Sequence, residues 1–501
     1  MCTLGTSEYD DDTFQIEEIS KNAKVASCVT DSTRTSNTNP LCKKCRYQQV
    51  QLVLRNKNQY CRMCFLTMLM HKFKATLGKS KLVRPNDSIL IAHSGKANST
   101  ALVHLVSSDA YESISKKLRL QCKVLYIDDG MVKGHTVEER EFVRNALAKE
   151  AERLRSTMYV VPLTKCLTDV IYEDIQSVSV PQMSIAIEDT VLAETFDTLE
   201  NDTAKDELLR QLKRKLLVSA ARKLNCNKVF IADTSVDLAI KVLGDVSTGR
   251  GSQLPFNVAF SDVRHADVML LRPLRDFTGD EVIAYLDSFK LCPVLNSQKS
   301  NFSFPLSIRN IARGFVHQLD SEFYGTVSTI YRTSEKLATK IDELNSVNIN
   351  MGIDASTDAN TDADTNVNNI CILCELNLES RLPSEEQLSM VQAKLFSKFI
   401  STITVPSSDA ILDSLNICEQ TDSAQIKTRN TLKRKTCQCH SIACDSPKEQ
   451  SKIEKYLCYS CRLIFLDSKQ MCTTLPNFIL TAIEKKLQIA CLRKEIKDFL
   501  L

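Results

Sequence analysis

With 501 residues, 43% hydrophobic and 25% charged, the chain has the make-up of a soluble globular protein and the length of two or three domains. Its 64 Lys and Arg against 61 Asp and Glu leave a formal charge of +3, so overall charge excludes a polycation, and any nucleic-acid contact must come from a local patch. No apolar run approaches the ~18 residues that span a bilayer. The N-terminus lacks the basic stretch and apolar core of a secretion signal. A cytoplasmic location, with no membrane contact, is expected.

Residues 1–38 are polar and rich in Asp, Ser and Thr, without periodicity, and are expected to form a disordered acidic tail. The cysteines begin next. There are 20 in the chain, and a disulfide framework is not expected in a reducing compartment. Eight of them fall into four C-x-x-C pairs, which points to metal. The first two pairs, Cys42/Cys45 and Cys61/Cys64, stand at C-x2-C-x15-C-x2-C spacing in a module over 39–79. Zinc takes four tetrahedral thiolates at about 2.3 Å, and two knuckles of this kind supply them. A redox dithiol is the competing reading, against which the doubled pair argues. Residues 49–54 read as a hairpin strand and 66–77 as a helix ended by Gly78.

Residues 80–290 alternate apolar runs with amphipathic stretches. Strands are predicted at 89–92, 122–127, 158–161, 229–232 and 268–271. A helix over 136–153 carries Val137, Phe142, Val143, Leu147 and Ala151, and one over 205–224 carries Leu208, Leu209, Leu212, Leu216, Leu217 and Ala220 on one face. Alternating strands and helices predict an α/β fold with a Rossmann-like parallel sheet. Ligands then sit beyond the carboxyl ends of the strands, which brings Ser94, Asp128 and Asp233 to one crevice. Residues 165–204 interrupt the pattern as an insertion loop. After the first strand comes Ser94-Gly95-Lys96-Ala97-Asn98-Ser99, a small polar turn opening a helix. Its N–H groups, the helix N-terminus and the hydroxyls of Ser94 and Ser99 could hold a phosphate. An ordinary strand-to-helix turn is the competing reading.

Residues 291–344 read as a helical extension, with 333–336 capping or opening a last helix, and the Asn/Asp/Thr-rich residues 345–369 read as a linker. A Cys-rich module over 370–466 follows, with Cys371/Cys374 and Cys458/Cys461 as its outer pairs and a second zinc site as the expected product. Cys437, Cys439, His440 and Cys444 lie between them, as a third site or as unbound thiols. So does the strongest basic run, with Lys427, Arg429, Lys433, Arg434 and Lys435, which could contact a phosphate backbone or form a solvated loop. Residues 467–501 read as a C-terminal helix, with Phe478, Ile479, Ala482, Ile483, Leu487 and Ala490 at helical spacing.

The turn at 94–99 resembles the S-G-G-x-D-S pyrophosphate loop (PP-loop) of the ATP pyrophosphatases, with Lys96 at the second Gly and Asn98 at the Asp. A side chain at the Gly position obstructs backbone approach to phosphate, and Asn98 lacks the charge that would hold Mg²⁺. The order of modules, together with several sequence blocks, resembles the cytoplasmic tRNA 2-thiolation protein 2 family. The blocks are the first cysteine module with His71-Lys72-Phe73 and Leu77-Gly78-Lys79, then Ser94-Gly95, Asp128-Asp129-Gly130, Glu138-Glu139-Arg140, Phe260-Ser261-Asp262 with Arg264-His265, RPLRD at 272–276 and STIYRTSEK at 328–336.

The resemblance covers roughly 40–340 and the C-terminal cysteines. It implies one half of a heterodimer with a catalytic PP-loop subunit. That complex 2-thiolates the wobble uridine (position 34) of tRNA Lys, Glu and Gln, using ATP adenylation and sulfur from a thiocarboxylated ubiquitin-like carrier. It also implies structural zinc at the four outer pairs and a degenerate nucleotide site at Ser94, Gly95, Lys96, Asn98, Ser99 and Asp128, with ATP held weakly or only through the partner. The catalytic family carries a C-x-x-C after its second strand. Here Cys166 and Cys226 stand alone, so this chain is expected to hold no catalytic residue and to bind tRNA as a scaffold. The alternatives are a self-sufficient PP-loop enzyme and a zinc-finger interaction adaptor.

Overall fold

The computed structural model describes residues 40–54, 58–107, 120–167, 175–177, 186–295, 304–323, 325–336, 370–376, 456–466, 479–485, 488 and 492. The expected acidic tail, the linker 345–369, the basic run 427–435 and Cys437, Cys439, His440 and Cys444 lie outside the described residues.

The chain opens with a hairpin, β1 (Leu52–Val53) and β2 (Gln59–Tyr60), which leads into α1 (Arg62–Ser80). Cys61 is the N-cap of α1. The expected stop at Gly78 is a correction: the helix runs through it. The left-handed residue is Lys81, at φ +56°, whose N–H reaches the Gly78 carbonyl.

A seven-stranded sheet forms the centre, in the order β6-β5-β4-β3-β7-β9-β8. Its strands are β3 (Ser88–Ala92), β4 (Gln121–Asp128), β5 (Thr157–Pro162), β6 (Gln176–Ser177), β7 (Lys228–Phe230), β8 (Ser261–Asp262) and β9 (Met269–Leu271). β3, β4, β5, β7 and β9 are parallel, as expected. The all-parallel expectation is corrected at both edges, where β6 and β8 pair antiparallel. Two-residue strands are too short to show a period in sequence.

Alternate residues of β3 feed opposite faces, as the period of two requires. Leu90 joins the core under α5 (Asp202–Lys223). Ile89 and Ile91 join the core under α1, α2 (Ala97–Ser107), α3 (Val137–Arg153) and α8 (Gly279–Ser288). α3 starts at a capping box made by Thr136 and Glu139. Its buried stripe is Val143, Leu147 and Ala151, while Val137 and Phe142 are exposed, contrary to the expected face.

Two more expectations change. The insertion 165–204 is not only loop: α4 (Ala186–Asp197) lies inside it and buries Leu192 and Phe196, and α5 starts at Asp202. Residues 333–336 open no helix, since they follow from α10 (Thr326–Ser334) as it ends. α9 (Ile308–Glu322) and α10 pack on α6 (Ser235–Ser247) through Val316, Val327, Val236, Ala239 and Ile240. The short α7 (Leu254–Val258) follows α6 after a tight turn over 249–253. At the C-terminal end, α11 (Tyr459–Leu466) and the helical residues 479–485 pack into the α5 side of the core, with Ile479 and Ile483 buried.

Candidate metal centres and strand-edge loop

The first cysteine group is built by a knuckle and a helix start. After Cys42 the chain turns back, with the Arg46 N–H donating to the Cys42 carbonyl at 2.8 Å and Arg46 itself left-handed at φ +53°. The β1–β2 hairpin delivers Cys61 to the head of α1, one turn before Cys64. The four Sγ atoms of Cys42, Cys45, Cys61 and Cys64 lie within 4.8 Å of one another. Cys42 and Cys61 are buried, and Cys45 is exposed.

The second group joins distant segments. Cys371 and Cys374 sit on a turn closed by the Glu375 N–H donating to the Cys371 carbonyl, at 2.9 Å, with Glu375 left-handed at φ +57°. Cys458 and Cys461 sit at the start of α11. The Ile372 N–H donates to the Tyr456 carbonyl at 3.0 Å and ties the two segments together. All four thiols are buried, and their Sγ atoms again lie within 4.8 Å of one another. A tetrahedral ion with metal–sulfur bonds of about 2.3 Å sets its thiolates about 3.8 Å apart. The Cys374–Cys458 and Cys45–Cys61 separations are 3.6 and 3.9 Å. Both groups therefore fit one tetrahedral ion, whereas a multi-iron cluster spreads its thiolates wider.

At the carboxyl edge of the sheet, the turn after β3 folds on itself. Ser99 Oγ accepts from the Ser94 N–H at 3.2 Å and lies 3.0 Å from His93 Nδ1. The Gly95 N–H donates to that same nitrogen at 3.2 Å. This bond fixes the tautomer, leaving Nε2–H for Glu150 at 3.4 Å. Gly95 is left-handed at φ +74°, its carbonyl accepts from the Leu295 N–H at 2.8 Å, and a Cβ there would meet the Leu295 side chain at 3.2 Å. Asn98 donates to Asp237 at 2.7 Å. The Ser94 hydroxyl remains exposed, 3.1 Å from Ser99 Oγ.

The neighbouring strand ends β4 and β7 bring Asp128 and Asp233 beside this turn, but both carboxylates are occupied. Asp128 takes Arg140 at 2.8 Å and the Gly130 N–H at 3.0 Å, and Asp233 takes Lys241 at 2.5 Å and Arg272 at 3.2 Å. Asp129, which sequence reasoning did not place in the site, is buried between Lys133, at 2.7 Å, and Lys213. Burial alone would raise its pKa, but the two ammonium groups override that and hold the carboxyl well below the usual range. Lys96 is pushed down to about 8, first by burial and then by Lys133, Arg313 and Lys213.

The thiols of the α/β domain stand apart from this turn. Cys122 and Cys226 lie at the amino ends of β4 and β7. Cys166 follows β5, and burial pushes its thiol up to about 12, with Lys215 opposing. Cys292 is exposed on the connection leading to Leu295.

A sequence model of the family described as Cytoplasmic tRNA 2-thiolation protein 2 matches residues 307–463. Proteins of that name are similar to this chain along most of their length. The one from Anopheles gambiae is 33% identical over 308 residues, covering 60% of this chain and 71% of that protein. The one from Danio rerio is 28% identical over 520 residues, covering 95% and 97%, and the one from Homo sapiens is 27% identical over 515 residues, covering 92% and 93%. The chain belongs to this family.

Among solved structures, the U34-tRNA thiolase NcsA of Methanococcus maripaludis, solved with its four-iron, four-sulfur cluster, is 18% identical and covers 61% of this chain and 91% of its own, with a TM-score of 0.43. That score lies below the level at which a shared fold follows.

The segment matched by the tRNA 2-thiolation protein 2 model begins at Ser307, the N-cap of α9, and ends just past Cys461. It therefore holds both pairs of the second cysteine group. No helix among the described residues is long and apolar enough to cross a membrane.

Proposed function

We propose that this chain is the non-catalytic, tRNA-binding partner of a catalytic PP-loop subunit in the cytoplasm. Together the two would 2-thiolate the wobble uridine of tRNA Lys, Glu and Gln with sulfur from a thiocarboxylated ubiquitin-like carrier. Family membership supports the thiolation part of this reading. The observation that carries the division of labour is the closed turn at 94–99. The uracil C2 carbonyl is a poor electrophile, so the reaction adenylates its oxygen, releases pyrophosphate and lets sulfur attack. A chain doing this alone needs open backbone donors for pyrophosphate and a thiolate beside them. Here the Ser94 and Gly95 N–H groups are spent inside the turn, Leu295 covers Gly95, and Asn98 is engaged with Asp237. Cys166 is held as a thiol at neutral pH. ATP at Ser94, Gly95, Lys96, Asn98, Ser99 and Asp128 is then weak, or reaches the complex only through the partner.

The two tetrathiolate groups hold structural zinc in this reading. Their closed geometry and lack of an open ligand position suit a structural ion. Surface for tRNA comes from the basic run Lys427, Arg429, Lys433, Arg434 and Lys435, which lies outside the described residues, and from the cationic edge of Lys96, Lys133 and Lys213.

The test is mass spectrometry of wobble nucleosides in tRNA from cells depleted of this protein. Loss of 2-thiouridine is expected, with recovery to within about twofold on return of either the native chain or Ser94→Ala. Unchanged 2-thiouridine on depletion overturns the thiolation role. A Ser94→Ala chain that fails as completely as depletion overturns the non-catalytic role.

A further inference from the structure

We infer that Arg250 and Gln253 of the α/β domain are outer partners of the second tetrathiolate, so that its metal is held jointly by the C-terminal cysteine pairs and the turn between α6 and α7. The inference rests on the reading of Cys371, Cys374, Cys458 and Cys461 as a metal site. The Gln253 amide donates to Cys374 Sγ at 3.7 Å and to Cys458 Sγ at 3.8 Å. The Arg250 guanidinium donates to Cys461 Sγ at 3.7 Å and to the Ser460 carbonyl at 3.1 Å. Three of the four sulfurs thus receive an N–H from a turn more than a hundred residues away in sequence.

The turn is shaped for this contact. Gly249 is left-handed at φ +72°, and a Cβ there would stand 3.0 Å from the Tyr459 ring. Its carbonyl accepts from Ser460 Oγ at 2.9 Å. Arg214 and Arg264 hold the other knuckle, donating to the Cys374 carbonyl at 2.7 and 3.3 Å. Charge completes the case. A divalent ion with four thiolates carries a net charge of −2, and burying it requires compensation. Arg250 is 1% exposed and is the largest fully buried side chain among the described residues. It stands between that anion and Glu207, whose carboxylate lies 3.2 Å from its Nε and is shared with Arg210 and Arg309. N–H donors to a metal-bound sulfur lower the energy of its lone pairs, which makes the thiolate less nucleophilic and less readily displaced.

The full chain loaded with cobalt(II) tests this, since thiolate-bound cobalt shows sulfur-to-metal charge-transfer bands. A Cys45→Ser background removes the first site from the spectrum. In that background Arg250→Met and Gln253→Leu are each expected to move the charge-transfer band to lower energy and to speed chelator extraction of the ion by at least about tenfold. Arg250→Lys, which keeps a cation and a donor, should recover part of both effects. Should Arg250→Met fail to fold, Gln253→Leu, a change of closely similar shape, carries the test alone. A loaded site whose band and extraction rate are the same in the variants overturns the inference. Absence of tetrathiolate cobalt bands in the unsubstituted Arg250 and Gln253 background overturns the metal reading beneath it.

Discussion

Lys96 shows what a single substitution in a motif does to its surroundings. Its ammonium is drawn into a partly buried edge facing Lys133, Arg313 and Lys213, with Asp129 as the opposing charge, and its pKa falls from 10.5 to about 8. A lysine whose pKa drops on folding lowers stability while both states are protonated. The penalty is whole below about pH 8 and lifts as pH rises toward 10.5, because there the unfolded chain binds more protons than the folded one. Lys96→Met is therefore expected to melt at a higher temperature than the native chain near neutral pH, with the gain fading as pH approaches 10.5. Thermal melts of both chains across that range check the sign. A difference that stays constant with pH would place the ammonium in ordinary solvent. The departure at Lys96 was legible in the sequence, since a side chain stands where the loop pattern has glycine. Its neighbours were not, because Lys133 and Lys213 come from two other elements and meet only around Asp129.

At the scale of elements, the strongest patterns were the most legible. α5 was readable from its run of leucines, and the structure puts Leu208, Leu212 and Leu216 in the core. Leu212→Ala is expected to cost about 2–5 kcal/mol in denaturant titration. Phe142 teaches the opposite lesson. It sits at helical spacing with Val143 and Leu147, yet it is 71% exposed on the far side of α3. Phe142→Ser should change stability by less than about 0.5 kcal/mol, and a loss comparable to Leu212→Ala would show that this face of α3 is covered in solution. What sequence could not show was the short, late-decided structure. The edge strands β6 and β8 are fixed by pairing with β5 and β9, and α1 runs through Gly78 because the left-handed turn falls at Lys81. α4 buries only two residues, a signal too sparse to separate from a loop.

On the scale of the whole molecule, the cysteine pairs were readable one pair at a time, but their meeting place was not. Nothing in the spacing says that the second group lies against α5, with Leu373, Leu457, Ile464 and Phe465 in the same core as Leu212 and Leu216. The two groups should therefore answer differently to a chelator. The first, with Cys45 exposed, is expected to give up its ion early with little change in melting temperature. The second, wholly buried, should release its ion only with loss of the α5-side core, so that metal removal and unfolding coincide. Metal release followed beside far-ultraviolet circular dichroism checks this. Two ions leaving together without loss of structure would show that the second group is no part of the fold's stability.

That arrangement also sets a timetable for biosynthesis. Arg250 and Cys461 are 211 residues apart. At about 5–20 residues per second, the ribosome delivers the second knuckle roughly 10–40 s after the turn it must cover. For that interval the nascent chain carries a bare leucine face and a solvated arginine that will later be buried. A chain halted by a premature stop anywhere in the intervening stretch keeps that face open for good, and exposed apolar surface is what chaperones and proteases read. The last cysteine pair thus doubles as a proof of full-length translation, and it seals the molecule only when the message has been read nearly to its end.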